Sequence, residues 1–251
     1  MRITLLGTGN AGGIPQWGCA CAACTGARHD PRRRRAPCSA LVEADGVRLL
    51  LDAGLMDLSD RFPAGTLDAV LLTHFHVDHV QGLFHLRWGV GSLPVHHPPD
   101  TEGCADLYKH PGVLAFHPAA AGETLRFKAI SATPVPLAHS KATYGWLFEA
   151  GAARIAYLTD TRGLPPATAD RLRAWRPDLT VLDCTYAPDH FTPKGHNDLG
   201  LALETLADIG SRHGVLTHVG HGLQCWLDAH PTALPPSVTV GSDDELVWPR
   251  A

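Results

Sequence analysis

The sequence predicts an α/β fold, a sandwich of mixed sheets with helices outside, and three observations predict it. Short segments rich in leucine and β-branched residues outnumber helical ones. A hairpin pattern comes first and strand–helix alternation later, which mixes antiparallel with parallel pairing. The 25 Gly and 20 Pro among 251 residues suit many short strands and working loops better than a helical bundle. With 45% hydrophobic and 18% charged residues, the chain can bury a substantial core, which excludes a disordered chain. A formal charge of −4 gives no overall attraction to nucleic acid or anionic membrane. Residues 1–251 read as a single domain, without internal repeat, low-complexity segment or linker.

Taken in order, Arg2–Gly7 is a first strand that stops at Gly7-Thr8-Gly9. Residues 10–38 read as one long loop rich in Gly, Pro, Cys and Arg, a length that points to function or to something tying it down. Residues 40–43 and Val47–Leu51 flank an Asp45-Gly46 turn and form a hairpin. Residues 68–73 are a short apolar run, read as a buried strand. Further strands are predicted at 125–136, 144–149, 153–159, 179–183, 214–217 and 238–240. Helices are predicted at 165–175, opening on proline, and at 197–212, where an Asn/Asp cap precedes Leu199, Leu203, Leu206 and Ile209 on one face. No stretch approaches the roughly 18 apolar residues that span a bilayer. The first residues lack a signal-peptide pattern, so a cytoplasmic protein without a membrane partner is expected.

The sixteen histidines matter through their clustering with aspartate. In His74-Phe75-His76-Val77-Asp78-His79, residues i and i+2 of an extended segment point the same way, so His74 and His76 can share one metal. If the chain then turns into a helix, Asp78 and His79 swing to another side and can serve a second. Two metals about 3.5–4 Å apart can hold a hydroxide between them. Further ligands would come from later strand ends, where His139, Asp160 and His218 stand, with Asp160 able to bridge. Imidazole and carboxylate accept zinc, manganese or iron. Separately, Cys19, Cys21 and Cys24 offer three thiolates from a loop at about 17–26, and any cysteine or histidine reaching that loop can complete a tetrahedral structural zinc.

The H-x-H-x-D-H run resembles the metallo-β-lactamase superfamily. That resemblance implies an αββα sandwich with His74, His76 and His139 on one metal, Asp78, His79 and His218 on the other, and Asp160 between them. It also implies that Asp52 orients a metal-bound histidine. The segments PxWGCxCxxC, RRxPCSAL, LLTHFHVDHVQGLFHLRWGVG, PPDxxGCxDLYKHPG, PLxHSKxTYG and LTHVGH are more narrowly similar to the cyclic phosphodiesterases of bacterial phosphonate utilisation. This implies His221 as the fourth zinc ligand, Asp78 and His196 as catalytic residues, and His196 as proton donor or phosphate holder. The implied complement is two catalytic divalent metals (manganese, zinc or iron) and one structural zinc. The implied substrate is a small cyclic phosphate sugar, 5-phospho-α-D-ribosyl 1,2-cyclic phosphate, opened to ribose 1,5-bisphosphate, with no nucleic acid partner and a homodimer as the assembly.

For the 5-phosphate, the arginine run 32–35, Arg87 and Lys141 are plausible without being assigned, and Ser140 reads as structural. Cys38, Cys104, Cys184 and Cys225 lack partners at ligand spacing and read as buried or free thiols. The rival readings are a transfer-RNA 3′-processing nuclease, a thioester or lactone hydrolase, and a non-catalytic zinc-stabilised binding protein. The absence of a long Lys/Gly-rich insertion argues against the first, the cysteine loop against the first two, and the complete ligand set against the third.

Overall fold

The computed structural model describes residues 1–188 and 195–249. In chain order the first half holds strands β1 (Arg2–Gly7), β2 (Ser39–Ala44), β3 (Val47–Leu51), β4 (Ala69–Leu71), β5 (Leu93–His97) and β6 (Leu114–Pro118). Helices α1 (Ala22–His29), α2 (Leu58–Arg61), α3 (Val77–Val80), α4 (Leu83–Leu86) and α5 (Ala105–Lys109) fall among them. The second half holds β7 (Leu125–Phe127), β8 (Ile130–Pro136), β9 (Tyr144–Ala150), β10 (Ala153–Leu158), β11 (Leu179–Asp183), β12 (His213–Thr217), β13 (Val238–Val240) and β14 (Glu245–Val247). Its helices are α6 (Pro166–Trp175), α7 (Leu199–Asp208) and α8 (His221–Ala229).

Two seven-stranded mixed sheets result, in the orders β14-β1-β2-β3-β4-β5-β6 and β13-β12-β11-β10-β9-β8-β7. Alternation explains why the strands read as continuous apolar runs. In β3, Leu49 and Leu51 enter the core between the sheets while Leu50 faces outward; in β10, Ile155 and Tyr157 enter it while Ala156 and Leu158 face outward. Those outward faces are covered by Leu58 of α2, Leu83 of α4 and Leu107 of α5 on one side, and by Leu172, Leu206 and Leu223 of α6, α7 and α8 on the other. The layers are therefore αββα. Strands β3 and β4 run parallel, as do β10, β11 and β12, so their carboxyl ends gather at one edge, where open α/β sheets place ligands. The sheets also meet near that edge: the Trp146 indole donates to the Leu72 carbonyl at 3.1 Å, and the Tyr144 amide to the Thr73 carbonyl at 2.9 Å.

Several elements differ from expectation. Residues 10–38 are not one irregular loop, for α1 lies within them, its first turn capped by the Cys21 sulfur accepting from the Cys24 amide. Only Ala23, Cys24 and Ala27 of that helix are buried, too thin a stripe to show as periodicity. Residues 125–136 are two strands, broken at Lys128, whose φ of +45° turns the chain back on itself. The helix predicted over 197–212 spans Leu199–Asp208, with Asp198 capping the Leu201 amide. Strands β5 and β6 were not foreseen, because LPVHH and LAFHP carry proline and histidine in place of an apolar run.

Candidate metal centre

After Leu72 the chain bends at Thr73, is extended at His76, and then closes into the single turn of α3. This carries Asp78 and His79 to a different side from His74 and His76. His139 follows β8, Asp160 follows β10 and His218 follows β12, all at the common edge. Both Asp160 and His218 adopt left-handed backbone, with φ of +60° and +59°, as does Asp52 at +52° after β3. Asp and His tolerate this conformation better than most residues, and here it turns each side chain off its strand end into the site.

Two groups of ligand atoms form. In the first, His74 Nε2 lies 2.7 Å from His76 Nδ1, which lies 3.2 Å from His139 Nε2. Asp160 Oδ2 stands 3.4 Å from His74 Nε2 and 3.5 Å from His139 Nε2. In the second, His79 Nε2 is 3.3 Å from Asp78 Oδ2 and 3.4 Å from Asp160 Oδ1, and His218 Nε2 is 3.3 Å from Asp160 Oδ1. The two carboxylate oxygens of Asp160 thus face one group each. Ligand atoms of His74, His76, His139 and Asp160 lie within 4.8 Å of one another, as do those of Asp78, His79 and His218, and those of Asp160, Asp183, His196 and His218.

The donor set suits divalent cations, and a second observation agrees. His79 Nε2 and His218 Nε2 are buried without a hydrogen-bond partner among the described residues. A buried polar nitrogen without a partner costs about 1–3 kcal/mol, a cost that a coordinated ion removes. The far ring nitrogens are tied down, as metal-binding histidines require. His74 Nδ1 meets Thr73 Oγ1 at 3.0 Å, His79 Nδ1 meets Asp52 Oδ2 at 2.7 Å, and His139 Nδ1 donates to the Gly195 carbonyl at 2.9 Å. His218 Nδ1 meets Thr185 Oγ1 at 2.8 Å. Burial, then the neighbouring His79 charge, pushes His74 well below the usual imidazole range. His79 is held well above that range despite its burial, by Asp160 and Asp52. Burial raises Asp78 and Asp160, but the nearby His218 and His79 pull both carboxyls down.

His196 sits beside the second group, stacked on His218 with ring centroids 4.6 Å apart. Its Nδ1 donates to Asp183 Oδ2 at 2.8 Å, and although burial acts to lower it, that carboxylate raises its pKa. Asp183 also accepts from the Thr161 amide at 3.0 Å and from Thr185 Oγ1 at 3.1 Å. Lys194, in the same sequence segment as His196, lies outside the described residues. Thr73, Thr185 and Asp183 were missed in the sequence, though Asp183 closes β11 much as Asp160 follows β10, so the strand-end rule could have found it.

The cysteine group is also assembled. Cys19 Sγ and Cys21 Sγ each lie 3.4 Å from His221 Nδ1, and these three with Cys24 form one cluster. Backbone amides point at the sulfurs: Gln16 to Cys24 at 3.3 Å, and Cys24 to Cys21 at 3.5 Å. Burial works against ionisation of Cys21, but these bonds hold its thiol down to about 6, while burial pushes Cys24 up to about 11. Cys225, expected as a buried or free thiol, is free; one helical turn after His221, it accepts from the Ala23 amide at 3.4 Å. Cys38 and Cys184 are buried.

The residues considered for a second phosphate are engaged elsewhere. Arg32 pairs with Asp30, Arg33 with Asp228, Arg87 with Asp106 and Lys141 with Asp100. Arg35 is buried, bonded to Thr8, Gln224 and the Gly241 carbonyl. The cleft over the histidines is lined instead by His76, His139, Ser140, Arg162 and His196.

Residues 47–219 match the family described as "Beta-lactamase superfamily domain". An "Octanoyltransferase" of Porphyromonas gingivalis is 30% identical over 97% of this chain and 50% of its own length. A "Coenzyme PQQ synthesis protein B" of Methylobacterium radiotolerans is 33% identical over 63% of this chain and 64% of its own length. The chain therefore spans half of the first relative and under two thirds of the second. Among solved structures, a "New Diphosphatase from the PhnP Family" superposes with a TM-score of 0.82 and 26% identity, covering 98% of this chain and 96% of that one. The span 47–219 holds every strand end of the histidine–aspartate site, and the chain belongs to the beta-lactamase superfamily.

Proposed function

We propose that the protein is a metal-dependent phosphodiesterase that opens a small cyclic phosphate sugar, 5-phospho-α-D-ribosyl 1,2-cyclic phosphate, to ribose 1,5-bisphosphate. The observation that carries this reading is Asp160, fully engaged between two groups of ligand atoms, with the His196–Asp183 pair stacked beside the second. His74, His76 and His139 would hold one divalent cation, Asp78, His79 and His218 the other, and Asp160 both. Such a pair of ions supplies a nucleophile at neutral pH and neutralises charge on the phosphoryl oxygens.

The rest falls to the chain. Asp52 and Thr73 fix the tautomers of His79 and His74, so that Nε2 of each faces the site. Asp183 holds the His196 ring by Nδ1, which leaves Nε2 to give a proton to the departing ribose 2-oxygen. The Cys19, Cys21, Cys24 and His221 group would hold a structural zinc that fastens the N-terminal segment beside the site. Cytoplasmic location and a dimeric assembly complete the reading.

The test is phosphorus NMR of the purified, metal-loaded protein on ribosyl cyclic phosphate, a 2′,3′-cyclic nucleotide and a precursor transfer RNA, with metal analysis alongside. Turnover of the first with about three metals per chain is expected. Turnover of only the RNA reverses the substrate assignment. One cysteine-bound metal and no turnover favours the zinc-stabilised binding protein.

A further inference from the structure

We propose that Arg162, with the Ser140 hydroxyl, docks a phosphate monoester that the substrate carries away from the bond being cut. This rests on the phosphodiesterase reading for its substrate, but not for its chemistry. Arg162 and Ser140 line the same cleft as His76, His139 and His196. Arg162 stands two residues after Asp160, a span of at most about 7 Å along the chain.

The backbone that presents Arg162 is braced from several sides. Its amide donates to the Ala138 carbonyl at 3.0 Å, beside His139. The Thr161 hydroxyl accepts from the Ala138 amide at 3.1 Å and donates to the Gly163 carbonyl at 2.6 Å. The Gly163 amide donates to Asn197 Oδ1 at 2.7 Å, next to His196. The platform is thus bonded to the segments that carry His139 and His196.

Charge pairing leaves the residue available. Arg32, Arg33, Arg87 and Lys141 are each matched to a carboxylate, while Arg162 makes no ion pair among the described residues. An arginine left without an acid at the mouth of a cleft is suited to bidentate recognition of a phosphate brought by a ligand. Ser140 adds a hydroxyl that makes no hydrogen bond among the described residues. Together they select a sugar bearing a second phosphate over an uncharged one.

Calorimetry on the metal-loaded protein, with ribose 5-phosphate as probe and ribose as control, tests this directly. Ribose 5-phosphate should bind, and Arg162→Ala should weaken it about 10- to 100-fold, the worth of charge-assisted hydrogen bonds. Arg162→Lys should recover part of the affinity, with metal content unchanged in both variants. Equal binding by the wild type and Arg162→Ala would overturn the proposal, as would riburonate, with a C5 carboxylate in place of the phosphate, binding as tightly. Hydrolysis of bis(4-nitrophenyl) phosphate is followed in parallel. A protein that binds ribose 5-phosphate through Arg162 yet cleaves no phosphodiester sinks the reaction class and leaves the dock standing.

Discussion

His196 is the residue whose role differs most from that of its neighbours. The other site histidines aim a nitrogen at the Asp160 carboxylate or at each other, whereas His196 stacks flat on His218 and is tethered by Asp183. Its Asp183 contact raises its pKa against the effect of burial, which favours the protonated ring that a general acid needs. His196→Ala should lower kcat about 10²- to 10⁴-fold, the usual worth of a positioned proton donor, with both metals retained. Unchanged turnover at full metal occupancy would rule the role out. At this scale the sequence was informative where side chains cluster along the chain. His74, His76, Asp78 and His79 announced themselves by spacing, and His139, Asp160 and His218 by their strand ends. Asp183, Thr73 and Thr185 did not, since a lone Asp or Thr after a strand resembles any other until the fold folds it under a histidine.

Among elements, α1 and α8 form a pair held chiefly through polar and sulfur chemistry. Apart from Ile14, Ala23, Cys24 and Ala27, little apolar surface is buried at this corner. A helix as short as α1 is marginal on its own. Zinc at Cys19, Cys21, Cys24 and His221 would therefore supply most of the order of residues 10–38. Removing that zinc with a strong chelator should speed hydrogen exchange across residues 10–38, while β9, β10 and β11 stay protected. Equal loss of protection throughout would show instead that the zinc holds the whole fold. The same corner explains why the sequence read as loop: α1 is specified by its thiols and not by an apolar stripe. By contrast β1, β3, β11 and β13 were legible to the residue, because Leu, Ile and Val fill most of their buried positions.

On the scale of the molecule, the two sheets are joined by more than their shared core. Trp146, fully buried, packs between them and donates to the Leu72 carbonyl just before the histidine run. Trp146→Ala should cost about 3–5 kcal/mol in chemical denaturation, as large-to-small core changes do. It should also loosen the segment that aims His74, so metal affinity falls with stability; a stability loss without any change in metal affinity would separate core from site.

The segment from His218 to His221 reaches both clusters with only Val219 and Gly220 between, and Val219 is bonded through its amide to the Thr8 carbonyl at 2.8 Å. Ions held at both clusters would grip one short stretch of chain and so be coupled: any factor by which a zinc at the cysteine group raised affinity for cations at the histidine–aspartate group, those cations would return to the zinc. Loading order then becomes history without effect on the end state, and competitive chelation of either ion reports on the other.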